Sequence, residues 1–122
     1  MNLSELLHIK SEQITQTKII ISLEVTDAVK QPYGIMHGGI NAVLAETAAS
    51  LGANENLPDD RVAVGVDITT HHLRPVSHGK LVTTATPVHI GNTLQTWYTE
   101  TVLGQQLISI STVTLSNVPK PK

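Results

Sequence analysis

Cysteine is absent from this chain of 122 residues. Disulfides, thiolate metal sites and a cysteine nucleophile are therefore excluded. Phenylalanine is absent as well, and aromatics make up only 2% of the residues: Tyr33, Trp97 and Tyr98. Trp97 and Tyr98 are neighbours on a candidate strand, so they face opposite ways and build no base-stacking platform. Positive charge is scarce too, with 8 Lys and Arg against 10 Asp and Glu and a formal net charge of −2. No basic field draws nucleic acid, and no polybasic run holds an anionic membrane. No apolar run is long enough to span a bilayer, and Met1 to Lys10 lacks the apolar core of a signal peptide. The sequence predicts a soluble, cytoplasmic protein of one domain.

What is present is β-branched: 11 Ile, 12 Val and 15 Thr. These residues favour pleated sheet. Leu3, Leu6 and Leu7, with Asn2 or Ser4 as N-cap, predict a short amphipathic helix over Met1 to Ile9 in a helical N-terminal segment, residues 1–12. Ile19, Ile21, Leu23 and Val25 alternate with polar residues and predict a strand over Thr17 to Val25. Asp27 to Gly34 holds Pro32 and Gly34 and reads as a loop. Gly38-Gly39 then opens the one long helical stretch, about Ile40 to Asn54, apolar nearly all round and so expected to be buried. Its polar exceptions are Asn41, Glu46, Thr47 and Ser50. Four strands follow: Arg61 to Arg74 with Val62, Val64, Val66 and Ile68 on one face, Lys80 to His89, Thr93 to Leu103, and Gln106 to Leu115. Residues 117–122 read as a flexible tail. Short turns between strands imply antiparallel pairing. The class is α+β, a single antiparallel sheet curled around one long helix.

Glu46 is the residue that needs explaining. A charged, unpaired carboxylate in a buried helix costs several kcal/mol. The bland reading is that the helix turns it to solvent, or that Ser50, one turn on, bonds it. Its surroundings suggest more. Gly38-Gly39 offers backbone N–H groups at the helix N-terminus, where they can polarise a carbonyl. His37 and Gln31 flank that end. A carboxylate with such a donor is a hydrolytic pairing. Yet Glu46 lies nine residues beyond His37, about half a revolution round the helix and roughly 13 Å along it. If the two share a site, the second subunit of a dimer is the simplest source of one of them.

The other candidates are less specific. His71 and His72 are adjacent on a strand and point to opposite faces, so they do not share a metal. No HExxH spacing exists, and no metal site or cofactor is expected. His72 and Arg74 share a strand face and suit a polar or anionic part of a substrate. A solvated strand end is the alternative. His89-Ile90-Gly91-Asn92 is a turn that offers N–H groups to a phosphate or is a plain hairpin. There is no GxSxG elbow, P-loop or dinucleotide fingerprint.

The run Gln31-Pro32-Tyr33-Gly34-Ile35-Met36-His37-Gly38-Gly39, followed by Leu44-Ala45-Glu46, resembles the PaaI-type acyl-CoA thioesterases of the hotdog fold. Among them it is most similar to bacterial enzymes acting on aromatic acyl-CoAs such as 1,4-dihydroxy-2-naphthoyl-CoA. Leu73-Arg74-Pro75, Val88-His89-Ile90-Gly91 and Ser111-Thr112 agree. The resemblance spans about Val25 to Leu115 and implies one hotdog domain over 1–122. It implies homodimers joined edge to edge, paired into a tetramer, with active sites at the subunit interface. It implies that Glu46 is the nucleophile or general base and that the Gly38 N–H polarises the thioester carbonyl. Gln31 and His37 position substrate or water, and Ser50 supports the carboxylate. Gly39, Gly65, His72, Arg74, His89, Gly91 and Asn92 then contact the acyl-CoA along its pantetheine and nucleotide path. The chain departs from the common pattern at Asn92, where many members carry arginine, and at Thr70-His71-His72, where many carry an asparagine.

Acyl-CoA hydrolysis is thus the leading expectation. A non-catalytic acyl-CoA sensor using the same pocket, and a hotdog dehydratase acting on hydroxyacyl thioesters, are the rivals.

Overall fold

A computed structural model describes residues 1–121. In chain order the elements are α1 (Leu3–Leu6), β1 (Lys10–Ile14), β2 (Ile19–Glu24), a 3-10 turn (Asp27–Val29), α2 (Gly39–Glu55), β3 (Arg61–His72), β4 (Lys80–Ile90), β5 (Leu94–Leu103) and β6 (Gln106–Pro119). The six strands form one antiparallel sheet in the order β1-β2-β4-β5-β6-β3. The sheet wraps α2, which packs against every strand. This is the α+β architecture that the hotdog resemblance implies.

The helix is tied to the sheet by its small residues. Asn41, Leu44, Ala45, Ala48, Ala49, Gly52 and Ala53 are buried, a spacing of three and four that makes one face. The opposite face, with Val43, Thr47 and Leu51, is only half-buried, so α2 is not enclosed all round within one chain. Trp97 explains Gly52. Its ring lies so close that a Cβ at Gly52 would fall on it and press on Ile19. The indole donates to Gln95 Oε1 at 3.0 Å, and Gln95 Nε2 donates to the Ala53 carbonyl at 3.0 Å. The one tryptophan is therefore core filling and fully buried. Gly52→Ala is expected to cost about 1–3 kcal/mol by overpacking. Urea unfolding followed by Trp97 fluorescence checks this, and an unchanged midpoint contradicts it.

The N-terminal segment differs from the expectation of helix to residue 12. Asn2 caps a single turn, His8 at φ 58° swings the chain out of it, and Lys10–Ile14 pairs with β2 as an extra strand. Every residue of β1 is exposed, so its sequence carries no alternation to read. Glu12 holds it down by accepting from Ser22 Oγ at 2.8 Å, with Lys80 Nζ at 3.6 Å. The Ser22 bond first, then the Lys80 charge, hold the Glu12 carboxyl below the usual carboxylate range. The expected tail at 117–122 also gives way at its start. Residues 117–119 extend β6 opposite Arg61 to Ala63, and the buried Asn117 side chain bonds Gln95, Gly91 and Asn92.

The third correction lies in β3. A bulge between Gly65 and Asp67 breaks the alternation. Ala63 turns inward instead, while Val64 and Val66 stand 44% and 62% exposed. The two sheet edges are therefore unlike. β1 is short and charged, which blunts it. β3 is 12 residues long, pairs with no strand along its outer edge, and carries two exposed valines.

Candidate active site

Two asparagines staple α2 to β3, one near each end of the helix. Asn54 Oδ1 accepts from the Ala63 N–H at 2.9 Å, and Asn41 Nδ2 meets His72 Nδ1 at 3.0 Å. The helix and the edge strand thus run antiparallel, and the candidate residues fall along their seam.

At the N-terminal end, the loop before α2 is tied down by backbone bonds from Met36 N–H to Val76 O and His37 N–H to Val29 O. Gly34, at φ 82°, makes the turn that a side chain would strain. Gly38 is the N-cap of α2 and offers no side-chain cap; the Ile40 and Asn41 N–H groups bond the His37 and Gly38 carbonyls instead, each at 3.0 Å. His37 Nδ1 accepts the Gly39 N–H at 3.0 Å. The Gly38 N–H has no partner among the described residues. A cavity of about 260 Å³ opens here, lined by Gln31, Met36, Gly38, Asn41, His72 and Arg74 among others. Gln31 Nε2 leans on the Met36 carbonyl at 3.4 Å, and its Oε1 has no hydrogen-bond partner among the described residues. The cavity brings a free backbone donor, an amide, an imidazole and a guanidinium together at the positive end of a helix dipole.

Glu46 lies elsewhere on the same seam. It lines a separate, open groove of about 460 Å³ with Thr47, Ser50, Asn54, Val64 and Gly65. The carboxylate is half-buried and forms no hydrogen bond or ion pair among the described residues. Ser50 shares the groove without bonding it. Gly65 is the surface on which Glu46 rests: a Cβ there would collide with Oε2. Gly65→Ala is accordingly expected to push the carboxylate aside and lower any Glu46-dependent turnover about 10²-fold, the usual effect of a misplacement near 1 Å. Unfolding midpoints should hardly move, since the glycine is exposed. Full activity in Gly65→Ala contradicts this.

Gly38 and Glu46 are eight residues apart, roughly 12 Å along the helix. Within one chain they open onto different cavities. His89, Gly91 and Asn92 line neither. Their turn closes the β4–β5 hairpin, linked through Asn117 and Gln95 to the C-terminal end of α2. The Gly91 N–H is already taken by the Leu94 carbonyl, so it is not the phosphate donor that the turn sequence suggested. His71 and His72 do point apart, and only His72 reaches the cavity. Asn41 was legible only as a polar exception in an apolar helix. Its partner is 31 positions away, and nothing local signals that.

Among the described residues, no helix is long and apolar enough to cross a membrane, and no group of three His, Asp or Glu side chains could hold a metal ion.

The profile of the thioesterase superfamily matches residues 33–108, more than half of the chain. A 1,4-dihydroxy-2-naphthoyl-CoA hydrolase from Listeria monocytogenes is 37% identical over 123 aligned positions, covering all of both chains. A crystal structure of a thioesterase from Haemophilus influenzae superposes with a TM-score of 0.90 at 33% identity, over 95% of this chain and 82% of that one. A variant of a thioesterase from Staphylococcus aureus superposes with a TM-score of 0.94 at 28% identity, over 98% of this chain and 100% of that one.

Proposed function

The chain belongs to the thioesterase superfamily and is a thioester hydrolase, and on that premise we propose that it cleaves acyl-CoA to free acid and CoA at a site shared by two copies. The observation that carries the reading is Glu46, a half-buried carboxylate without an ionic partner among the described residues, beside an edge strand that no other strand covers. An uncompensated carboxylate is costly in a fold-stabilising role and useful in a chemical one.

In this reading two chains pair through β3 as a homodimer, and dimers pair again into a tetramer. The pairing covers Val64 and Val66 and brings Glu46 of one copy to the Gly38 cavity of the other. The thioester carbonyl sits on the Gly38 N–H, and Gln31 and His37 orient substrate or water. Arg74 meets an anionic part of the CoA. His89, Gly91 and Asn92 of a neighbouring copy contact the nucleotide by side chain and surface, since the Gly91 N–H is occupied. Glu46 then acts in one of two ways. As nucleophile it bonds to the carbonyl carbon, the C–S bond breaks, CoA leaves as the thiolate, and water cleaves the anhydride. As general base it takes a proton from the attacking water, and the same C–S bond breaks. Ser50 bonds the carboxylate or the water in either case. A cytoplasmic enzyme that needs no cofactor completes the reading.

The test is a panel of acyl-CoAs with free-thiol detection. It begins with aromatic acyl groups, because the Listeria monocytogenes relative is named for one. Thiol release is expected. Saturable binding without release would favour a sensor, and hydration of an enoyl-CoA without release a dehydratase.

A further inference from the structure

We propose that Asn41 is a positioning residue that fixes the tautomer of His72, so that His72 Nε2–H becomes a second donor beside the Gly38 N–H for the thioester carbonyl. The inference rests on the reading that this carbonyl binds at Gly38. Asn41 is 3% exposed, and its Oδ1 has no partner among the described residues. A buried amide left half-satisfied is a cost that an apolar residue at that helix position would avoid. What the amide supplies is the 3.0 Å contact from Nδ2 to His72 Nδ1. Turning the amide over would bury an orphaned NH2 in place of an orphaned carbonyl oxygen. Orphaned buried N–H groups are the rarer of the two. With Nδ2 donating, His72 Nδ1 is the acceptor and the proton belongs on Nε2.

The other end of the ring is aimed usefully. A Cβ built on Gly38 would lie 3.2 Å from His72 Cε1 and 3.4 Å from Nε2, so that edge of the imidazole is against the glycine. The same absence of a side chain that bares the Gly38 N–H also admits the ring. Arg74 is the charged group that shares the cavity, and no described carboxylate lines it. Within one chain, no other described side chain lining the cavity competes to hold a proton on Nδ1. Two donors converging on one oxygen make a fuller oxyanion site than one.

The test joins NMR and kinetics. Nitrogen-15 spectra of the wild-type protein are expected to show His72 with Nε2 protonated and Nδ1 bare; a proton on Nδ1 overturns the proposal. His72→Leu is expected to lower kcat about 10²-fold with KM little changed. Asn41→Leu alone is expected to cost about tenfold in kcat, as removal of a histidine's orienting partner does elsewhere. In the His72→Leu background it should cost nothing further. An equal loss in both backgrounds, or an effect on KM alone, overturns the proposal. If Asn41→Leu does not fold, the wild-type tautomer decides. A panel with no thiol release would sink the hydrolase reading alone, because the tautomer is measured without turnover.

Discussion

Glu46→Gln is expected to reduce kcat for thioester hydrolysis about 10³-fold, within the 10²–10⁴ range that a positioned acid–base group supplies. Glutamine keeps the shape of the side chain and its rest on Gly65, but it neither attacks a carbonyl nor accepts a proton at neutral pH. The effect belongs in kcat, because the interaction is strongest in the transition state. Stability should be unharmed. Glu46 makes no ion pair among the described residues, so no partner charge is stranded by its loss. Steady-state kinetics with unfolding midpoints separate the two. Equal turnover in both proteins would remove Glu46 from the chemistry.

The second large effect is a rescue. Gly38→Pro is expected to be nearly inactive. Proline suits the observed φ of −59° at Gly38 but has no N–H to give the carbonyl. Glu46→Gln lacks the carboxylate. Mixed and reassembled, the two inactive proteins are expected to recover about a quarter of wild-type activity, since half of the dimers are mixed and each holds one intact site of two. The reason is the separation along α2: no single chain opens Gly38 and Glu46 onto one cavity. Recovery with an even-numbered assembly by light scattering supports the shared site. No recovery, with both variants folded and mixed, places the site within one chain.

Much of this was legible along the chain. The apolar, small-residue run of α2 and the turns at Gly91-Asn92 and Gly104 are local signals, and they mark their elements to within a few residues. The Gly38-Gly39 and Glu46 pattern was equally plain, and so was the misfit between its spacing and a single-chain site. What was not legible has a common cause. β1 exposes every residue, so it carries no period. The bulge after Gly65 is one added residue in an apolar alternation that otherwise looks unbroken. Residues 117–119 look like tail because their pairing partner lies more than 50 positions earlier.

The sequence by itself therefore determined the long helix, five of the six strands and the chemical repertoire. Each depends on residues near one another in the chain, through side-chain period, turn geometry and the functional groups present. Only the tertiary structure decided which groups meet. Register across the sheet put His72 beside Asn41 and Gly65 beneath Glu46, and sheet order left β3 as the long bare edge. The shortage of aromatics was resolved in the same way. One tryptophan seated over Gly52 is the core's single large aromatic side chain among aliphatic and alanine neighbours, and the exposed valines of β3 stay outside it. These are outcomes of packing between distant segments, where shape and burial on several elements are settled together, and no local pattern encodes them.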